Sequence, residues 1–185
     1  MRSLTLLDES GAMPPLQALS EQDATRPVVL IGFQKQGNLG IGYLAATLMR
    51  RGHRVKVLDF EDAAEQILAT IKAEVPVVVG FSLIFQFYLP RFRALMQYLR
   101  NHGVRCHFTI GGHFPSLSHE RTLELIPEVD SVVRFEGEVT LLELVESLIH
   151  DQDWRRIDGL AYRRDGRFVS NPLRHLLDDL DVLPF

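Results

Sequence analysis

The chain has 185 residues, of which 46% are apolar and 24% charged, the ordinary composition of one globular domain with its own core. A formal net charge of −4 argues against a nucleic-acid partner, because such proteins carry a surplus of cations. The single cysteine, Cys106, excludes an internal disulfide and a metal cluster held by several thiolates of this chain. No apolar run approaches the ~20 residues that cross a bilayer, so we expect no membrane partner and a cytoplasmic location.

Residues 1–26 predict a loosely ordered leader, after which short apolar runs alternate with stretches of helical periodicity. This alternation is typical of βαβ units and a parallel sheet. The third predicted strand is apolar throughout, which predicts a central position with both faces buried, whereas the alternating second strand predicts a position near the edge. Strands are predicted over 28–33, 54–58, 76–81, 105–110 and 131–135, with helices between them, the fourth short and near 118–126, and a fifth helix over 140–148.

The tail has a different character. Two short runs, 160–163 and 167–169, flank an Asp165-Gly166 dipeptide, which predicts a β-hairpin. The predicted fold is therefore a doubly wound α/β domain with a five-stranded parallel sheet, of the Rossmann-like or flavodoxin-like kind, and a C-terminal β-hairpin extension. The predicted division is a leader over 1–26, a ligand-binding domain over 27–150, and a hairpin with linker over 151–185.

Ligands of open parallel sheets bind beyond the carboxyl ends of the strands. The segments expected there are 34–42, 82–88, 111–117 and 136–140, and all are rich in glycine or small polar residues. Glycines before a helix suit either an anion at the helix N-terminus or close packing of helix on strand. Their spacing does not match G-x-G-x-x-G, and the lysine of a Walker loop is absent, which argues against a nucleotide.

Three anchors at these strand ends have a distinctive spacing. Forty-one residues separate Gly40 from Ser82-Leu83-Ile84, and 26 more separate that motif from Gly111-Gly112. The pattern resembles the cobalamin-binding domains of the methionine synthase and mutase type, which carry Asp-x-His-x-x-Gly, Ser-x-Leu and Gly-Gly at these places. Lys35 and Gly37 stand where that family has its aspartate and its cobalt-ligating histidine. The resemblance thus implies cobalamin bound base-off and without a protein histidine beneath the metal.

The sequence is more closely similar to a second branch, the amino-terminal domain of cobalamin-dependent radical SAM enzymes. The matching runs are Gly37-Asn38-Leu39-Gly40, Gly80-Phe81-Ser82, Gly111-Gly112-His113-Phe114-Pro115-Ser116 and residues 133–141. This resemblance implies a methyltransferase or related enzyme whose 4Fe-4S cluster and S-adenosylmethionine lie on a radical SAM domain, in cis or in trans. That cluster needs Cys-x-x-x-Cys-x-x-Cys. With Cys106 alone, this domain is not expected to be catalytic by itself, whether it is a fragment or a stand-alone binding protein.

The resemblance also implies a set of cofactor-binding residues, with no catalytic residue and no metal ligand among them. They are Gln36, Gly37, Asn38, Leu39, Gly40, Ser82, Ile84, Phe85, Gln86, Gly111, Gly112, His113, Phe114, Glu136, Gly137 and Glu138.

Two other classes of function stay open at this point. A flavodoxin-like module fits the fold. A receiver-like module would need a phosphorylatable aspartate at a strand end, and the ends of the first and third strands here do not offer one. A nucleotide-binding enzyme would use Asp59, at the end of the second strand, as the acid that binds a ribose.

Overall fold

The computed structural model of the chain describes residues 26–35 and 37–174. The predicted leader, apart from Arg26, the predicted site residue Gln36 and the predicted linker beyond residue 174 therefore lie outside the described residues. Within the described part, no helix combines the length and the apolarity that crossing a membrane requires.

The sheet has the order β2-β1-β3-β4-β5-β6-β7, and its first five strands in this order are parallel. This confirms the doubly wound parallel sheet. β3 lies between β1 and β4 and is buried, and β2 forms the edge, as predicted. The chain runs from β1 to β2 on one side of the sheet and from β3 to β4 and β5 on the other, so the direction of strand addition reverses between β1 and β3. The expected ligand site therefore lies at the carboxyl ends of these two strands. The strands are β1 (Val28–Gly32), β2 (Val55–Asp59), β3 (Val78–Ser82), β4 (His107–Gly111), β5 (Ser131–Val133), β6 (Leu160–Arg164) and β7 (Arg167–Ser170).

The predicted hairpin exists, and it continues the main sheet. β6 pairs antiparallel with β5, so the five parallel strands become part of a seven-stranded sheet. Asp165 and Gly166 both have positive φ, 51° and 74°, which is the backbone of a two-residue hairpin turn. Pairing with β6 gives the backbone groups of β5 partners that an open edge would lack.

Helices cover both faces of the sheet. Those on one face are α1 and α6, and those on the other are α2, α3 and α5. The fourth helix of the chain, α4, lies in the segment 111–117, where no helix was predicted, because five residues are too few to show apolar periodicity. The bounds are α1 (Leu39–Arg50), α2 (Ala64–Glu74), α3 (Leu89–Asn101), α4 (His113–Leu117), α5 (His119–Leu125) and α6 (Glu138–Ile149), with 3₁₀ turns at Gln86–Tyr88 and Trp154–Arg156.

Successive residues of a strand point to opposite faces, and the two faces of this sheet differ sharply. Phe81 of β3 and Phe108 of β4 point to the α2–α3 face, where they join a packed cluster with Phe33, Phe60 and Phe92. Residues of alternate parity point to the α1–α6 face, and several of them are glycine, serine or threonine. The aromatic face is therefore filled, while space remains on the other.

α1 and α6 are joined at the amino end of the sheet by a buried ion pair. Arg51, just after α1, places Nη2 3.2 Å from Oε1 of Glu146 on α6. Both side chains are largely removed from solvent, so loss of one partner would leave a buried charge unpaired. The pair fixes the two helices at the end of the sheet opposite the expected ligand site.

Candidate functional site

A cleft of about 130 Å³ lies between the sheet and the helices α1 and α6, and it opens at the carboxyl edge of the sheet. This volume is roughly ten times what one buried water needs. Its lining residues are Leu30, Gly40, Ile41, Leu44, Gly80, Phe81, Ser82, Thr109, Gly111, Gly112, Val133, Phe135, Gly137, Glu138 and Leu141.

Glycines keep this cleft open. A Cβ on Gly80, in the middle of β3, would lie 2.9 Å from Leu30 Cδ2. A Cβ on Gly111 would approach the carbonyl oxygen of Val133 to 3.2 Å, and one on Gly137 would approach Val133 Cγ1 to 2.9 Å. A Cβ at each of these positions would crowd a neighbouring atom of the domain, so glycine leaves more room there than any other residue type.

Gly112 is required for a different reason. Its φ of +110° is a conformation that other residues rarely adopt, and a Cβ there would lie 2.3 Å from the carbonyl oxygen of Leu83. The Leu83 N–H in turn donates to the carbonyl of Gly111 at 2.9 Å. The ends of β3 and β4 thus meet at a contact that only glycine allows, which shapes the mouth of the cleft.

Asn38 connects the loop after β1 to the end of β3. Its Oδ1 accepts a hydrogen bond from the Ile41 N–H at 3.2 Å, which caps the N-terminus of α1, and its Nδ2 donates to Ser82 Oγ at 3.4 Å. Ser82 therefore uses its oxygen as an acceptor, and no described residue accepts its proton. That proton is available to a ligand acceptor in the cleft.

Asp59 holds the same loop from the other side. Its Oδ2 accepts from the Lys35 N–H at 3.3 Å and its Oδ1 accepts from the Glu61 N–H at 2.8 Å. Both oxygens are engaged by the backbone of the domain itself. This arrangement argues against Asp59 as the ribose-binding acid of a nucleotide site.

The loop after β1 offers no imidazole. The sequence has no histidine before His53, and His53 is buried, with 4% of its surface exposed, between α1 and β2 at the amino end of the sheet. Gly37 stands at the family's histidine position with φ +69°, and a Cβ there would have no heavy atom within 4 Å. Within residues 26–35 and 37–174, no three histidine, cysteine or acidic residues lie close enough to hold a metal ion.

Glu138, at the first position of α6, is the acid that lines the cleft. Burial raises the pKa of this carboxyl, and the charge of Glu136 raises it further. Hydrogen bonds from the backbone of Glu138 and Gly137 lower it in part. Its Oε2 is buried without a hydrogen-bond partner among the described residues, so the carboxyl has unused capacity for a hydrogen bond.

Large apolar side chains stand exposed around the mouth of the cleft. Leu39 follows β1, Phe87 follows β3 and Leu117 follows β4, and between 70% and 75% of the surface of each is exposed. Phe85 follows β3 and Phe135 follows β5, at the same carboxyl edge of the sheet, and each is 49% exposed. Exposed apolar side chains that follow several strands at this edge are compatible with an interaction surface there.

The predicted site residues fall into three sets by position, and for all of them the contacts with a ligand stay predictions. Six of them line the cleft, namely Gly40, Ser82, Gly111, Gly112, Gly137 and Glu138. Phe114 packs against the aromatic core, on the other face of the sheet. The rest of those described lie around the strand ends without lining the cleft, namely Gly37, Asn38, Leu39, Ile84, Phe85, Gln86, His113 and Glu136.

Sequence reasoning missed the walls of the cleft, most of which come from within helices and strands. They are Leu30, Ile41, Leu44, Gly80, Phe81, Thr109, Val133, Phe135 and Leu141. One of them left a trace in the sequence, because Gly80 interrupts an otherwise β-branched and aromatic strand. Most of the others are ordinary core residues, and only the packing of helix on sheet brings them to the cleft.

Comparison with known proteins gives a consistent result. The family model described as B12 binding domain matches residues 29–145. An uncharacterized methyltransferase of Pyrococcus horikoshii is 31% identical over 149 residues, which cover 79% of this chain and 32% of that protein. The anaerobic magnesium-protoporphyrin IX monomethyl ester cyclase of Synechocystis is 30% identical over 149 residues, 78% of this chain and 30% of that protein. The chain thus spans about a third of the length of these curated relatives.

Solved structures show the same fold. The radical S-adenosylmethionine methyltransferase TsrM of Kitasatospora setae, with cobalamin and a [4Fe-4S] cluster bound, superposes with a TM-score of 0.71 at 22% identity, covering 84% of this chain and 30% of that one. The cobalamin-dependent S-adenosylmethionine radical enzyme OxsB, with aqua-cobalamin bound, superposes with a TM-score of 0.69 at 21% identity, covering 83% and 23%. The family match extends over more than half of the chain and covers every residue named above as lining the cleft, so the chain belongs to the B12-binding domain family and is a cobalamin-binding domain.

Proposed function

We propose that the domain holds cobalamin with the cofactor's own base displaced from cobalt and with no protein ligand below the metal. We further propose that it is the cofactor domain of a radical SAM methyltransferase. The observation that carries the first proposal is the cleft beside β3, which Gly80 keeps open and which leads away from the carboxyl edge into the domain.

The cleft suits a displaced nucleotide tail. Its walls are apolar at Leu30, Leu44 and Leu141, which fits the aromatic face of a base. The Ser82 hydroxyl, which accepts from Asn38, can donate its proton to a ring nitrogen that no longer binds cobalt. The exposed apolar side chains around the mouth, such as Leu39 and Phe135, would then lie against the corrin.

The absence of an imidazole after β1 supports the proposal that no protein residue binds cobalt from below. Lys35 and Gly37 replace the residue pair that supplies and orients a histidine ligand in the resembling family. Bound cobalamin would supply the methyl-carrying chemistry of its cobalt. The part of this chain is to bury the tail, to hold the ring at the sheet edge and to leave the lower metal face without a protein nitrogen.

The relatives support a proposal for the partner of this domain. Two of the curated relatives described above are a methyltransferase and a cyclase of about three times this chain's matched length. We propose that residues 27–150 are the cofactor domain and that 151–185 lead toward a radical SAM domain, in cis or in trans. The 4Fe-4S cluster and S-adenosylmethionine would be bound on that domain, in the cytoplasm.

The test is reconstitution of the full 185-residue chain with hydroxocobalamin, followed by gel filtration and visible spectroscopy. After reduction to cob(II)alamin, we expect an electron paramagnetic resonance spectrum without splitting from an axial nitrogen. No retained corrinoid would refute cobalamin binding, and nitrogen splitting in the wild-type chain would refute the base-off, histidine-free state.

A matched variant provides the positive control for this spectrum. The double substitution Lys35→Asp with Gly37→His restores the family's ligand pair, and the space around Gly37 admits a side chain. We expect nitrogen splitting in this variant and none in the wild-type protein. The positive φ of Gly37 makes the substitution cost roughly 1 kcal/mol of stability, so thermal unfolding of the apo variant should accompany the measurement.

A further inference from the structure

Among the described residues, three polar side chains line the cleft, and two of them already have partners. Thr109 Oγ1 donates to the Ser131 carbonyl at 3.2 Å and accepts from Ser131 Oγ at 2.9 Å. Ser82 Oγ accepts from Asn38. Glu138 is the third, and its Oε2 has no hydrogen-bond partner in the described part of the chain although it is buried.

The surroundings of Glu138 explain why its carboxyl is free for a ligand. Of the described residues, the groups that act on it are its own N–H, the Gly137 N–H and the acidic Glu136, and none of these is a cation. A buried carboxyl oxygen without a partner costs free energy unless something else satisfies it. Since Glu138 also lines the cleft, a group on the bound cofactor can do so.

We propose that the Glu138 carboxyl accepts a hydrogen bond from a sugar hydroxyl of the corrinoid's nucleotide tail, so that the domain selects complete corrinoids over those that lack the tail. This inference rests on the proposed base-off binding. It assigns to one side chain the recognition of a chemical group that is present in every corrinoid with a nucleotide tail, whatever its base.

Position and charge select the sugar over the other parts of the tail. Glu138 lies at the carboxyl edge of the sheet, whereas Leu30, Gly80 and Thr109 lie side by side one pleat deeper. The apolar deep part suits the base, and Ser82 offers the proton that a ring nitrogen needs. A phosphate would repel a carboxylate without an intervening cation. A sugar hydroxyl, which is a donor, is the group that a carboxylate at the mouth can bind.

The experiment compares three ligands and two variants of the full chain. The ligands are cobalamin, a cobamide whose base is a phenol and therefore has no ring nitrogen, and cobinamide, which lacks the whole tail. Glu138→Met removes the acceptor at similar length, and Glu138→Gln keeps an acceptor. A hydrogen bond to a charged group corresponds to roughly 10- to 100-fold in affinity. We expect Glu138→Met to weaken cobalamin and the phenolic cobamide by this factor and to leave cobinamide unchanged, and Glu138→Gln to stay within about threefold of wild type throughout.

Glu120→Met is the control for the loss of an acid at a helix start. Glu120 lies in the first turn of α5, is exposed and does not line the cleft, so its variant should bind all three ligands like wild type. A loss with cobalamin but not with the phenolic cobamide would assign Glu138 to the ring nitrogen and overturn the inference. A loss that includes cobinamide, tighter cobalamin binding, or no change in Glu138→Met would also overturn it. If the wild-type protein shows an axial nitrogen on cobalt, the proposed function fails instead, and the spectrum separates the two failures.

Discussion

The two faces of the sheet carry the same strands and yet do different work. On the α2–α3 face, Phe81 and Phe108 pack edge-to-face with ring centroids 5.3 Å apart, and Phe60 stacks on Phe92 at 3.9 Å. On the α1–α6 face, the neighbouring positions on β3 and β4 are Gly80 and Thr109, and a cleft remains. The difference shows that one strand can build a stable core with one parity of its residues and a binding site with the other.

This division separates stability from ligand affinity. Removal of a ring from the aromatic face should cost free energy of unfolding and leave the cleft unchanged. Addition of a side chain on the cleft face should do the reverse. The predictions below test that separation.

The largest expected effect is on stability, from Phe92→Ala. Phe92 is fully buried and contacts both Phe60 and Phe81. The cavity that the missing ring would leave should lower the free energy of unfolding by about 3–5 kcal/mol, measured by urea denaturation. The cobalamin affinity of the folded fraction should stay within about threefold of wild type. A large loss of affinity at low urea would show that the two faces are coupled.

The second prediction concerns acid. Burial lowers the pKa of His107 to about 4, with Asp130 opposing the shift, against 6.5 in the unfolded chain. The unfolded state therefore binds more protons between pH 6.5 and 4, and stability should fall as pH falls, by up to about 3 kcal/mol. The neutral ring is held by Ser131 Oγ, 2.8 Å from Nε2, and packs edge-on against Trp154. His107→Gln should reduce this slope in urea titrations at pH 4 to 7, and an unchanged slope would assign it to other groups.

The third prediction fills the cleft. Gly80→Leu should weaken cobalamin binding at least ~100-fold, equivalent to about 2.7 kcal/mol, because the side chain would occupy the space between Leu30 and Thr109. Binding of cobinamide, which has no tail to bury, should change little. Overpacking costs typically 1–3 kcal/mol of stability, so Gly80→Ala, which meets only the movable end of Leu30, provides a milder variant. Equal losses for both ligands would contradict a tail-binding cleft.

The smallest expected effect is a gain. Gly42 is an exposed position in α1, and a Cβ there would have no heavy atom within 4 Å. Gly42→Ala should therefore raise the free energy of unfolding by roughly 0.5–1 kcal/mol through helix propensity. Thermal unfolding of the apo protein measures it, and a loss of stability would show that the start of α1 needs the freedom of glycine.

Much of the fold could be predicted from the sequence because it depends on apolar runs, alternation and turn residues, which are local patterns. An unbroken apolar run predicted that β3 is central, the alternation over β2 predicted an edge, and Asp165-Gly166 predicted the hairpin turn. The sequence did not predict that β5 ends at Val133, where Phe135 takes a φ of +60°. That conformation depends on a contact between distant residues, because the Phe135 N–H donates to Ser116 Oγ at 2.8 Å.

The candidate site divides in the same way. The spacing of Gly40, Ser82 and Gly111-Gly112 could be interpreted from the sequence because each anchor follows a strand, and parallel strands bring their carboxyl ends to one edge. The walls of the cleft and the hydrogen bonds that Asp59 accepts from two backbone N–H groups could not be predicted from such spacing.

By itself, therefore, the sequence determined the succession of strands and helices along the chain, the central place of β3, the edge place of β2 and the small residues at the strand ends, since period and turn chemistry are properties of neighbours along the chain. Only the tertiary structure decided that the hairpin extends the sheet beyond β5, that Leu30, Leu44 and Leu141 face one another across a cleft, and that one oxygen of Glu138 finds no partner in residues 26–35 and 37–174. Those features arise where residues far apart in sequence pack together, and no local pattern encodes which partners a side chain will find.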